Sequence, residues 1–96
     1  MLIKKKLKII FFTNNIRALN IIEKILNKKF LKIELVVTTK KITPKLLFKK
    51  IKLYKIKKLF FENNENSIYR HVKNIKPDFI ICSGFTKLIP FKILNL

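Results

Sequence analysis

Short runs of β-branched and aromatic residues alternate with apolar stripes at three- and four-residue spacing, and this alternation constrains the fold more than any single motif. Residues 7–12, Leu-Lys-Ile-Ile-Phe-Phe, read as a buried first strand. Ile16, Leu19, Ile22, Ile25 and Leu26, with Ile21 beside them, then mark one face of a helix that ends near Lys28 and Lys29. Two lysines in a last turn suit the negative end of a helix dipole. Between strand and helix, Thr13, Asn14 and Asn15 form a polar turn able to cap the helix. A second strand follows over residues 31–38. Thr43-Pro44 opens a second helix faced by Leu47, Ile51 and Tyr54. Residues 59–61 predict a third strand, and Ile68, Val72 and Ile75 stripe a third helix stopped by Pro77. Residues 78–83 predict a fourth strand, and residues 90–96 begin a fourth helix.

Strands and helices in strict βαβαβαβ alternation with short links imply α/β architecture, a parallel sheet with right-handed crossovers. The natural solution is a Rossmann-like sheet of about four strands in the order 3-2-1-4, a half-fold whose topological switch lies between the first and fourth strands. The near-continuous apolar character of those two strands predicts that both are covered on both faces. Cys82, flanked by Phe79, Ile80 and Ile81, then reads as a small core residue. Ligands in such sheets bind at the carboxyl ends of the strands near the switch. The candidate site is therefore the turn at Thr13, Asn14 and Asn15 together with the loop 83–90.

Chemistry is excluded more readily than assigned. The first strand-to-helix turn holds no glycine, so the dinucleotide fingerprint is missing, and no Walker loop is present. The single His71 reads as an ordinary residue at the edge of the third helix stripe. One His and one Cys do not build a zinc site. Glu23, Glu34, Glu62, Glu65 and Asp78 form no obvious acid–base pair, and Asp78 reads as shaping the turn into the fourth strand. Gly84, the only glycine, follows a buried strand. A positive φ, a tight turn and close approach to a ligand are all compatible with it.

The chain of 96 residues carries a net charge of +18 and is 49% hydrophobic, which gives ample material for one small core. The charge implies non-specific, salt-sensitive binding to polyanions. It also matches the Lys, Ile, Asn, Phe and Leu bias of AT-rich coding sequence, and Lys outnumbers Arg, the better base reader. The lysine clusters at 4–6, 40–41, 49–50 and 57–58 read as solvated faces not interleaved with aromatics. No apolar run is long enough for a membrane span, and the basic start lacks a signal-peptide pattern. No membrane association is expected, and a single cysteine fits a reducing cytoplasm.

The segment 75–96 reads Ile-Lys-Pro-Asp-Phe-Ile-Ile-Cys-Ser-Gly-Phe-Thr-Lys-Leu-Ile-Pro-Phe-Lys-Ile-Leu-Asn-Leu. Its Pro-Asp-apolar strand, Gly-Phe turn and Leu-Ile-Pro stretch resemble the fourth strand and following loop of the folate-dependent formyltransferases. Residues 40–44, Lys-Lys-Ile-Thr-Pro, are similar to the Lys-Lys-Leu-Thr-Pro stretch of methionyl-tRNA formyltransferases. That branch is favoured, with the sugar-nucleotide enzymes second. The glycine-rich first loop of glycinamide ribonucleotide formyltransferase is absent.

The resemblance implies an incomplete amino-terminal half-domain over residues 1–96. It implies transfer of a formyl group from 10-formyltetrahydrofolate to an amine, most readily that of methionyl-tRNA. Phe85, Thr86, Lys87, Leu88, Ile89 and Pro90 fall on the loop that lines the folate pocket, Leu88 and Ile89 as apolar walls. Thr13, Asn14 and Asn15 fall on the substrate side. The family's catalytic Asn-x-His motif and later Asp have no counterpart here. The resemblance therefore implies inactivity alone and a complementing C-terminal chain as partner. The alternatives are a sugar-nucleotide N-formyltransferase fragment and a non-catalytic small basic module binding RNA, tRNA included, or another polyanion.

Overall fold

The structure is a computed structural model that describes residues 6–39, 45–62, 64–85, 89 and 91–94. The chain runs β1 (Leu7–Phe12), α1 (Ala18–Leu26), β2 (Leu31–Thr38), α2 (Lys45–Leu53), β3 (Lys58–Phe60), α3 (Glu65–Ile75), β4 (Phe79–Cys82) and α4 (Phe91–Leu94). The four strands form one parallel sheet in the order β3-β2-β1-β4, as the alternation predicts.

The pleat of β1 separates two cores. Ile9 and Phe11 face α1 and α2, where they meet Ala18, Ile22, Leu47 and Ile51. Ile10 and Phe12 face α3 and α4, where they meet Ile68, Val72 and Ile93. β2 keeps the same division only by a bulge. Ile9 pairs with Ile33 but Ile10 pairs with Leu35, so Glu34 is left without a partner in β1. The extra residue puts Ile33 and Val36 in one core and Leu35 and Val37 in the other. Without it, Ile33 and Leu35 would share a face. Glu34 instead reaches Lys32 at 3.3 Å.

The predicted coverage of strands holds for β1 and fails for β4. Ile9 to Phe12 are buried, whereas Phe79 is 54% exposed and Cys82 is exposed rather than in the core. The reason is position: β4 is the edge of the sheet, and an apolar run does not distinguish an edge strand from a central one. β3 lies one residue earlier than predicted; Phe61 follows it, donating its N–H to Thr38 O at 2.8 Å and burying its ring in the α3 core. α2 begins at Lys45, and the Thr43-Pro44 cap lies outside the described residues.

Two helices end without the usual glycine. Lys55 has φ 58° after α2, and the bonds Ile56 N–H to Ile51 O (3.1 Å) and Lys55 N–H to Lys52 O (3.0 Å) make a Schellman motif. Lys76 has φ 52° after α3 and donates its N–H to Val72 O at 3.0 Å, the simpler left-handed cap. Asp78 then turns the chain into β4. Its carboxylate accepts the Lys8 N–H at 2.7 Å, and its own N–H donates to Lys8 O at 2.8 Å. The Asp78 role read from the sequence is thus a pair of bonds to β1. No described helix is long and apolar enough to cross a membrane.

Candidate functional site at the switch point

At the carboxyl ends of the strands, the β1 ladder continues past Phe12. Thr13 N–H donates to Val37 O on β2, and Asn14 N–H donates to Gly84 O on the far side of the switch. Ser83 N–H in turn donates to Phe12 O. The ends of β1 and β4 are thus laced together by main chain at Ser83 and Gly84.

The three candidate substrate residues behave differently from one another. Thr13 and Asn14 are buried, so they extend β1 rather than form a solvated turn. The Asn14 amide donates to Thr39 Oγ1 at 3.3 Å. Thr13 Oγ1 accepts the Asn15 N–H at 3.1 Å. Asn15 is exposed, and its Oδ1 accepts the Arg17 N–H at 2.8 Å, an Asx-turn leading into α1, whose N-cap Arg17 itself makes no side-chain cap bond.

Gly84 lies next to that turn, with φ +63°. A Cβ built there would stand 2.6 Å from Asn15 Cβ. Positive φ therefore holds for this glycine, and the residue it closely approaches is Asn15.

Two further residues belong to this end of the sheet and carried no sequence signal beyond their polarity: Thr38 and Thr39, buried at the end of β2. Thr38 Oγ1 has no hydrogen-bond partner among the described residues. A pair of threonines closing an apolar strand is the only trace of this in the sequence.

Phe85 sends its ring down from the loop. It lies edge-on to Phe12 at 5.4 Å and to Phe61 at 5.3 Å between centroids. Ile89 also packs against the α3-side core. His71 takes no part in this end. Its Nδ1–H donates to Ser67 O at 2.7 Å, and its Nε2 accepts from Lys57 Nζ at 3.0 Å beside the start of β3. A carbonyl only accepts and an ammonium only donates, so this is the neutral ring with its proton on Nδ1.

No protein-family model and no curated protein matches the sequence. By structure the chain is similar to phosphoribosylglycinamide formyltransferase from Bacillus halodurans. The TM-score is 0.68 at 18% identity, over 92% of this chain and 50% of that one. What the two share is a fold, a parallel α/β sheet with flanking helices. The chain spans half the length of that enzyme.

The likeness is one of fold and takes in the whole sheet, beyond the residues 75–96 that carry the resemblance in sequence. It does not reach the methionyl-tRNA or sugar-nucleotide branch, since the similar enzyme is named for another acceptor. Of the residues expected on a folate loop, Phe85 and Ile89 are described and have their side chains against the core. Thr86, Lys87, Leu88 and Pro90, and the stretch 40–44, lie outside the described residues.

Proposed function

We propose that the chain is the amino-terminal, folate-binding half of a formyltransferase that moves a formyl group from 10-formyltetrahydrofolate to an amine. The observation that carries this is the 3-2-1-4 parallel sheet, shared with a formyltransferase and opening at its switch point onto the Gly84–Phe85 turn. In this reading main-chain groups of the loop after Gly84 meet the polar edge of a pterin and Leu88 is its apolar neighbour, while Ile89 stays against the α3-side core. Of the substrate-side residues, Asn15 is the one with an exposed side chain; Thr13 and Asn14 hold the crevice in shape.

In the reaction the amine nitrogen attacks the formyl carbon, the bond from that carbon to the folate nitrogen breaks, and the proton lost by the amine ends on that nitrogen. Such a step requires a proton carrier and an oxyanion donor. His71, held by Ser67 and Lys57 on α3, does not face the switch point. In this reading His71 is therefore not the proton carrier. The acceptor is methionyl-tRNA on the strength of residues 40–44.

The test is a titration of the ¹⁵N-labelled chain with 5-formyltetrahydrofolate, followed by amide shifts. Saturable shifts confined to residues 13–15 and 83–90 are expected. p-Aminobenzoylglutamate, which has the same carboxylates without the pterin, should not reproduce them. Equal shifts with both compounds, spread over lysines, would mean that only charge is read and would sink the proposal.

A further inference from the structure

The other end of the sheet gathers a feature that formyl transfer does not use. A cleft of about 540 Å³ opens at the amino-terminal ends of β1 and β2, and Lys6, Lys28, Lys29, Lys32 and Lys55 line it. They come from four separate segments: the entry to β1, the α1–β2 link, β2 itself and the end of α2. All five are exposed. Opposing negative charge is small. Lys32 is shared with Glu34, Glu23 accepts the hydroxyl of Tyr54 in the cleft wall, and the α1 and α2 carboxyl ends each present roughly half a charge. Complementing those helix ends accounts for Lys28, Lys29 and Lys55, but not for Lys6 and Lys32, which stand at strand starts.

An exposed aromatic residue borders the cleft along the chain. Phe30 is 54% exposed, between Lys29 and Leu31, both of which line the cleft. Its carbonyl accepts the Leu7 N–H at 2.8 Å, which fixes the backbone beneath the ring.

We infer that this cleft binds single-stranded nucleic acid, with backbone phosphates on the lysines and a base stacked on Phe30. Lysine meets phosphate as a point charge, and an aromatic face accepts any base, so the binding is sequence-tolerant. Both arginines of the chain, Arg17 and Arg70, lie elsewhere, which leaves the cleft without the bidentate base readers. The inference stands on a different end of the sheet from the folate proposal and does not depend on it.

The experiment is fluorescence anisotropy of a labelled oligouridylate against the full chain over a range of salt. Three variants are compared: Lys28→Gln/Lys29→Gln/Lys55→Gln in the cleft, Lys45→Gln/Lys49→Gln/Lys73→Gln on helix surfaces outside it, and Phe30→Ala. The first should lessen the slope of log affinity against log salt by about 2, because each phosphate that a lysine neutralises on a single strand adds ~0.7 to that slope. The second, with the same change in net charge, should leave most of the slope in place. Phe30→Ala should weaken binding at least ~5-fold with little change in slope.

Equal effects of the two triple variants, or unweakened binding with Phe30→Ala, would overturn the inference. So would equal affinity for a duplex of the same length, or a preference for phosphatidylserine vesicles over the oligonucleotide. Circular dichroism melts of each variant separate a binding defect from a folding defect, and the arginine versions of the cleft triple should restore binding.

Discussion

Gly84 and Asn15 stand against each other across the switch crevice so closely that glycine is the one residue the first position accepts. A Cβ at Gly84 would lie 2.6 Å from Asn15 Cβ, and the backbone there has φ +63°. Two costs therefore combine in Gly84→Ala: a left-handed conformation, at about 1–2 kcal/mol, and a contact that forces the Asn15 backbone to move. Destabilisation of about 2–3 kcal/mol in urea melts is expected. Asn15→Gly removes the opposing Cβ and should cost only a few tenths of a kcal/mol as a change of turn residue. The double variant should be less destabilised than the sum, because only the clash is relieved. Strict additivity would show that φ alone makes Gly84 necessary.

Lys55 and Lys76 are the reverse case, left-handed positions filled by a residue with a Cβ. In a chain with one glycine, the helix stops are made by lysines. Lys76→Gly should raise stability by up to about 1 kcal/mol, since the Val72 carbonyl bond needs only the backbone. The gain is read as a higher urea midpoint at unchanged m-value. A lower midpoint would mean that the Lys76 side chain contributes more than its backbone strain removes.

What the sequence made legible follows from which forces are local. Strand order, the two-faced burial of β1 and the stripe Leu47–Ile51 or Ile68–Val72 are written in spacing and apolar content. The exposure of Cys82 is not, because the same Phe-Ile-Ile-Cys run serves a central strand or an edge. The bulge at Glu34 shows only as a charged residue inside a strand, and its effect on parity needs β1 beside it. At the candidate site, Gly84 stands out in the sequence as a special backbone position, but its neighbour Asn15 does not, since that contact joins the two ends of the chain. The lysine cleft is hidden for a like reason: it is assembled from four segments, and no cluster along the sequence contains it.

Tyr54 and Glu23 join α1 to the end of α2 through one side-chain bond, the Tyr54 hydroxyl donating to the Glu23 carboxylate. That bond, with lesser contributions from burial and the nearby negative charge, raises the Tyr54 pKa above its ordinary value of 10.0. A raised folded-state value means that the stabilisation is fully present below the ordinary tyrosine pKa and is lost as pH rises through the folded one. In a Tyr69→Phe background, ultraviolet titration should show Tyr54 ionising above the free amino acid. Glu23→Gln should bring the titration back toward the ordinary value. No difference between the two proteins would exclude the carboxylate as the cause.

The edge at β4 gives the last prediction. Phe79 is 54% exposed and Leu94 50%, and both line a groove of about 740 Å³ with Val72 and Pro77. An exposed apolar edge strand invites strand addition, either by a complementing half or by another copy. Sedimentation velocity should therefore show concentration-dependent association of the chain, and Phe79→Lys should return it toward monomer, because a charge on the edge opposes pairing. The substitution is at a half-exposed site, so its effect on unfolding should stay within about 0.5–1 kcal/mol. Cys82 at the end of the same strand reports occupancy of the edge. Partial burial raises its thiol pKa, so alkylation at neutral pH should be slow and should quicken as pH passes the ordinary thiol value. At a fixed alkaline pH, alkylation should slow further at high protein concentration in the wild type and not in Phe79→Lys. Equal rates at all concentrations in both proteins would place any association elsewhere than β4.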